Sequence, residues 1–572
     1  MTGAATLILE NAEVHTLTEP DEVYEAVVVR DGGIVRLCDG YEAAFLEGVE
    51  TTVIDCDGRV VLPGFVDAHV HMELLGQYRV HADLSGAAGP QECVDRLRDQ
   101  LAAGREWTVG FGYDESEWPD PHLLTREELD AVSTDRPVAA VRVDMHTASL
   151  NTAAIEELRG ELAEDDVLIE DGEPTGVVVE DAAEAVWRAI EPDLEGCREL
   201  LVAAQDHATA RGVTAVHDMV RDSHAPRAYR ELEAAGELDL RVRLNYWSDH
   251  LGAVREAGLA TNAGSELVRM GAIKSFTDGS IGARTAKLFE PYEGPDGSID
   301  DEGPDGSIDG EGVDGSEVDD EGTTDGEGVD GSEVDDEGTT DGEGVDGSEG
   351  TDGSEEGDHD RGLWVVDPEE LRETLEEAET AGYQFAAHAI GDEAIEAILT
   401  AYEGLEDPGE ARHRIEHAEL ATDDQIRRLA DSGVVASMQP NFLRWAEEGG
   451  LYDRQLGAER RRRADRFRTL LDSGVNLAFG SDCMPLDPLY GVHHAVNAPT
   501  AAQSLSVTEA LRAYTLGPAY AGFDEDRLGT IESGKRADFA VLEDSPWERP
   551  DRIAEIDVAL TVVDGEVVHD AR

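Results

Sequence analysis

Strand-like apolar runs, several of them ending on histidine, lysine or aspartate, recur through the middle of the chain with helical segments between them, and this pattern constrains the fold most. The runs are Val138–Val143, Thr214–His217, Ala272–Phe276, Gln384–His388, Arg414–His417, Val434–Met438 and Asn476–Asp482. Strands alternating with helices favour a parallel α/β sheet or barrel. In a barrel, polar groups at the C-terminal strand ends are where chemistry takes place. One such end has a chance explanation. Five converging ends call for a common site.

The first of these ends is reached through Val60–His71, an apolar run that closes on His69-Val70-His71. Side chains two apart on a strand share a face, and a neutral imidazole nitrogen is the commonest protein metal ligand. Collecting the strand ends gives His69, His71, Lys274, His388, His417 and Asp482. Nitrogen and oxygen donors of this kind suit zinc or a similar divalent ion with positions left open for water. Such an ion lowers the pKa of bound water toward about 7 and polarises a carbonyl, while a neighbouring carboxylate moves the proton. That chemistry is hydrolysis of an amide or related C–N bond.

The chain's ends are built differently. Residues 6–62 alternate short apolar runs with Asp-Gly turns, and the tail carries Ala537–Leu542 and a hairpin turning at Asp564-Gly565. Asp-Gly between apolar runs signals a hairpin, and two such half-modules can complete one β-sandwich. Residues 293–360 are low in complexity: they hold 29 acidic residues and no Lys or Arg, and Glu311–Gly326 recurs as Glu327–Gly342. Such composition cannot offset the entropy of ordering, so a disordered surface loop is expected.

Charge bounds the partners. The chain has 128 Asp and Glu against 45 Lys and Arg, a net of −83. Only 29 of those acids lie in residues 293–360, so the acidity is global. Such a field repels nucleic acid and anionic membranes. Three of the cations are lysines, Lys274, Lys287 and Lys535. An acidic, lysine-poor surface suits very high salt, where screening is strong, and points to a halophile. No apolar run is long enough to span a membrane and the start lacks a signal-peptide core, so a soluble, cytoplasmic protein is expected. The five cysteines have no Cys-x-x-Cys spacing and read as buried apolar groups.

With these motifs assembled, the chain resembles the amidohydrolase superfamily, and its middle resembles the amidohydrolase-3 branch that includes N-substituted formamide deformylase-like proteins. The stretches that carry the resemblance are Leu62–His71, Asp144–Asn151, Lys274–Ala286, His388–Asp392, Arg414–Ala418, Gly480–Asp482 and the closing Leu528–Asp538. The resemblance implies a (β/α)8 TIM-like barrel with a composite β-sandwich from both termini. Residues 1–62 and 526–572 would form the sandwich, and 63–525 the barrel with a subdomain over about 72–210. It also implies that His69, His71, His388 and His417 ligate metal, one ion or two, and that Asp482 is a ligand or the proton shuttle. Lys274 falls where such enzymes can carry a carboxylated lysine bridging two metals. The alternatives are a lysine paired with Asp278 at a mononuclear site, or a bridge supplied by Glu180. His146 and Arg284 are candidates for substrate contact, against a packed histidine and a surface ion pair.

The expected activity is metal-dependent hydrolysis of a non-peptide C–N bond, foremost an N-substituted amide or formamide. A deaminase or cyclic-amide hydrolase would use nearly the same ligands, and a non-catalytic scaffold or ion-binding relative is the reading from another class. The expected partner is a small-molecule substrate, with a homodimer as the assembly to test for.

Overall fold

The computed structural model describes residues 3–102, 104–143, 146–163, 166–170, 172–293 and 359–572. Eight parallel strands form one sheet in chain order: β1 Phe65–Val70, β2 Val213–Val220, β3 Arg241–Trp247, β4 Val268–Phe276, β5 Phe385–Ala389, β6 Arg414–His417, β7 Val435–Met438 and β8 Asn476–Phe479. Helices follow the strands, among them Met72–Val80, Ala225–Ala235, Pro368–Thr380, Asp392–Glu403 and Asp423–Ser432. Their apolar sides cover the sheet, so its strands are buried almost throughout, as parallel strands require. The sheet curls until β8 meets β1, where Asp482 N donates to the His69 carbonyl at 2.8 Å. This is the (β/α)8 barrel that the strand ends pointed to.

Two expectations about strands change. Val138–Arg142 is not a barrel strand: it pairs with Thr108–Tyr113 and Thr147–Leu150 in a separate six-stranded sheet inserted after β1, between Ala82 and Val179. The barrel strand unforeseen from the sequence is β3, whose Arg241 and Arg243 are buried. The long helix Leu194–Ala210, which follows the inserted sheet, packs Cys197, Leu201, Ala204 and Ala208 into the barrel's own core.

Both termini build the sandwich. Val60–Pro63 pairs antiparallel with Phe539–Leu542, so one sheet mixes strands from the two ends, and it shares a core of Val61, Phe539 and Leu560 with Leu7, Val27 and Ile54 of the facing four-stranded sheet. Gly64 joins this sheet to β1 in so little space that a Cβ would lie 2.2 Å from the Thr214 hydroxyl. Across the same joint, the buried Arg241 of β3 forks onto Asp538 at 2.6 and 3.0 Å.

All three lysines are withdrawn from the surface, Lys274 and Lys287 almost fully and Lys535 partly. Among the described residues no helix is long and apolar enough to cross a membrane. The chain leaves the acidic segment's first residue, Glu293, with its N–H donating to the Gln455 carbonyl. The repeats expected to be disordered, in 294–358, lie outside the described residues, as do Asp144 and Met145.

Breaking the buried Arg241–Asp538 pair leaves the guanidinium at the barrel–sandwich joint with only the partly exposed Asp564 as a carboxylate partner, at 3.1 Å. Asp538→Ala should lower unfolding free energy by about 3–5 kcal/mol, read by denaturant titration at fixed salt, and a loss under about 1 kcal/mol would show that this pair does not hold the joint.

Candidate metal centre

The site begins with the closure of the barrel. Gly480, just past β8, passes so close to β1 that a Cβ would lie 2.4 Å from His69 N and 2.9 Å from the Asp67 carboxylate. The buried Asp67 then accepts from His69 N and Ser481 N with one oxygen, each at 3.0 Å. Asp482 follows in the left-handed region, φ +52°, which turns its side chain back onto the first strand's end. Its Oδ1 is 3.6 Å from His69 Nε2 and 3.5 Å from His71 Nε2. Three donors about 2 Å from one ion stand roughly 3.3–3.5 Å apart, and the His69, His71 and Asp482 donor atoms all lie within 4.8 Å of one another.

The imidazoles are aimed from behind. His69 Nδ1 meets the fully buried Glu416 carboxylate at 2.8 Å, which places the proton on Nδ1 and leaves the Nε2 lone pair toward Asp482. Glu416 is held by Arg414, whose guanidinium also donates to the Ala68 carbonyl, Ser437 Oγ and His217 Nδ1 at 2.7–2.9 Å. His388 Nε2 donates to the Gly279 carbonyl at 3.1 Å, so its lone pair is on Nδ1. His417, at φ +70°, turns off the end of β6 between them, its ring 5.0 Å from His69 and 4.4 Å from His388. Its buried Nδ1 has no hydrogen-bond partner. Lys274, 1% exposed, comes from β4 and lays its ammonium over Phe276 and Trp247.

Burial, reinforced by the Lys274 charge, pushes His71 down to about 4 and His388 to about 3. His69 and His417 lie well below the ordinary histidine value, through burial foremost and then Lys274 and the neighbouring rings. All four are therefore neutral at pH 7, the form that ligates metal. Burial raises Asp482 to about 7, against the pull of Lys274. Neutral imidazoles, an orphaned ring nitrogen and a carboxyl group near its midpoint form a donor set that fits a divalent cation.

These groups line one cavity, whose other walls include Phe276, Ile281, Phe442 and Trp445. The remaining expected residues stand elsewhere. His146 is half exposed and 3.7 Å from Glu180, itself 62% exposed at the start of helix Glu180–Ile190, and neither lines this cavity. Arg284 donates to Gln455 at 3.1 Å and covers Tyr292, beside the cavity-lining Ile281 and Gly282 but not among the lining residues. Asp278 accepts backbone N–H groups from Lys287, Ile390 and Gly391. Tyr113 and Trp118 are buried in the inserted sheet's own core. Reading only the terminal residue of each strand passed over Asp67, Arg414 and Glu416. Their signal is the two-residue period: Asp67 precedes His69, and Arg414 precedes Glu416, by one pleat.

A model of the amidohydrolase family matches residues 52–569. The chain is 29% identical to YtcJ of Bacillus subtilis (strain 168), over 97% of this chain and 98% of that protein. It is 26% identical to the N-substituted formamide deformylase of Arthrobacter pascens, over 99% of this chain and 98% of that protein. The crystal structure of an uncharacterized metal-dependent hydrolase from Pyrococcus furiosus superposes with a TM-score of 0.73 at 29% identity, over 95% of this chain and 99% of that one.

Glu416→Gln keeps the side chain's shape and removes the charge that fixes the His69 tautomer. Metal affinity, measured by chelator competition, should fall about 10–100-fold, and an unchanged affinity would remove Glu416 from the support of the site.

Proposed function

The chain belongs to the amidohydrolase family and is a hydrolase of carbon–nitrogen bonds other than peptide bonds, and on that premise we propose that it cleaves N-substituted amides, formamides foremost, in the cavity at the end of the barrel. The observation that carries this reading is the position of Asp482 Oδ1 between the Nε2 atoms of His69 and His71 in a cavity whose other walls include Phe276, Ile281, Phe442 and Trp445.

His69, His71, His388 and His417, with Asp482, would hold the ion, and zinc suits their nitrogen and oxygen donors. A bound divalent ion supplies polarisation of the amide carbonyl and a water of lowered pKa. Asp482 does the proton work: its raised carboxyl takes the proton as water adds to the carbonyl carbon and delivers it to the amine nitrogen as the C–N bond breaks. The apolar walls receive the N-substituent and exclude bulk water. Glu416 and Arg414 keep His69 in the tautomer that faces the cavity.

Lys274 is proposed to be carboxylated in the metal-loaded protein. An unmodified ammonium enclosed with four imidazoles opposes a cation among them, whereas a carbamate adds two oxygen donors of the right charge. Glu180, exposed and paired with His146, gives no support to the alternative bridge. The deformylase relative supports formamides as the first substrates to assay.

Asp482→Asn keeps an oxygen at the site and removes the proton carrier. Turnover of N-substituted formamides by the metal-loaded protein should fall about 10²–10⁴-fold with the metal content retained on elemental analysis. Activity near that of the unsubstituted protein would take Asp482 out of the mechanism.

A further inference from the structure

The cavity has a second polar end that the hydrolytic reading leaves unused. Glu419, two residues beyond His417, is 3% exposed and lines the same cavity. The Tyr452 hydroxyl, also on the cavity wall, donates to Glu419 Oε2 at 2.5 Å. Behind them Asp465 is fully buried in the left-handed region, φ +53°, and its N–H donates to the Glu419 carbonyl at 2.9 Å. Neither carboxylate oxygen of Asp465 has a hydrogen-bond partner.

Aromatic rings run from the strand-end histidines to this corner. Phe442 stacks on His417 with centroids 6.0 Å apart, Trp445 follows at 4.7 Å from Phe442, and Tyr452 at 6.4 Å from Trp445. A carboxyl group needed only for packing would be replaced at lower cost by an amide or an apolar side chain. Placed on a cavity wall, it has a use that those lack. Ring faces attract a cation, and a carboxylate accepts the charge-assisted hydrogen bonds of one. The chain's net charge of −83 draws cations toward every opening.

We propose that Glu419, its carboxyl oriented by Tyr452, is the specificity-determining residue of the cavity and receives an ammonium group carried at the far end of the substrate's N-substituent. The preferred substrates are then monoacylated diamines, with the diamine as product. This inference rests on the amide-hydrolase reading for the reacting end of the substrate.

The test compares N-(5-aminopentyl)formamide with its uncharged isostere N-hexylformamide on the metal-loaded protein. Stopped-flow quenching of tryptophan fluorescence, with Trp445 in the cavity wall, reads binding ahead of turnover. The unsubstituted protein should bind the ammonium compound about tenfold tighter, and Glu419→Gln should bring the two within about twofold by weakening that compound. Equal binding of the two compounds, no binding of either, or a preference that survives in Glu419→Gln overturns the proposal. The comparison on the unsubstituted protein stands even if the variant does not fold. Amine release is followed in parallel: hydrolysis of both compounds without a binding preference counts against the ammonium subsite alone. A binding preference without hydrolysis supports the subsite and counts against the amide-hydrolase reading.

Discussion

The Asp67 carboxylate links the first barrel strand to the end of the eighth, and the rest of the site follows from that contact. By accepting His69 N and Ser481 N on one oxygen it fixes both strand ends at once. The missing side chain of Gly480 lets them approach that closely. Asp482, in a left-handed conformation immediately afterwards, then has only one direction to face, toward the two imidazoles. Burial raises Asp67 itself to about 6, so the contact depends on the two N–H donors for its stability. Barrel closure and assembly of the donor set are thus one event, and a change at either strand end disturbs both.

A line of charge runs inward from this contact. His69 leans on Glu416, Glu416 on Arg414, and Arg414 on His217, all inside the barrel. Toward the opposite end Arg243 pairs with Asp524 at 2.8 Å and Arg241 with Asp538. Alternating signs allow a barrel with so many buried ionisable groups to remain folded, since an unpaired one would be very costly. The Glu416 carboxylate also gives His69 a defined tautomer, which a metal ligand requires. At the cavity end burial, reinforced by Lys274, keeps the histidines neutral, and Glu419 places a carboxyl group on the far wall.

The strand ends were legible in the sequence because buried parallel strands read as apolar runs, and a histidine or aspartate at the end of such a run stands out. That logic located His69, His71, Lys274, His388, His417 and Asp482, all of which line one cavity. It failed on Arg241–Trp247, where arginines alternate with apolar residues and the run resembles a half-exposed strand until Asp538 and Asp524 are seen to meet them. Val138–Arg142 misled for a different reason: local pattern specifies a strand, not the sheet that it joins. Asp67 and Glu416 are marked in the sequence only by standing one pleat from His69 and Arg414, and their roles are completed by Ser481 and His69, far away in the chain. The left-handed turns at His417 and Asp482 have no glycine or asparagine to mark them.

Under the proposed function, the strand ends gathered by this closure hold a divalent ion. Anomalous diffraction at the zinc absorption edge, from crystals of the zinc-loaded protein, addresses it directly. The expected result is a peak in contact with His69 Nε2 and His71 Nε2 at the floor of the cavity, with density extending beyond Lys274 Nζ. A zinc peak held by other residues, with His69 and His71 left uncoordinated, would contradict it.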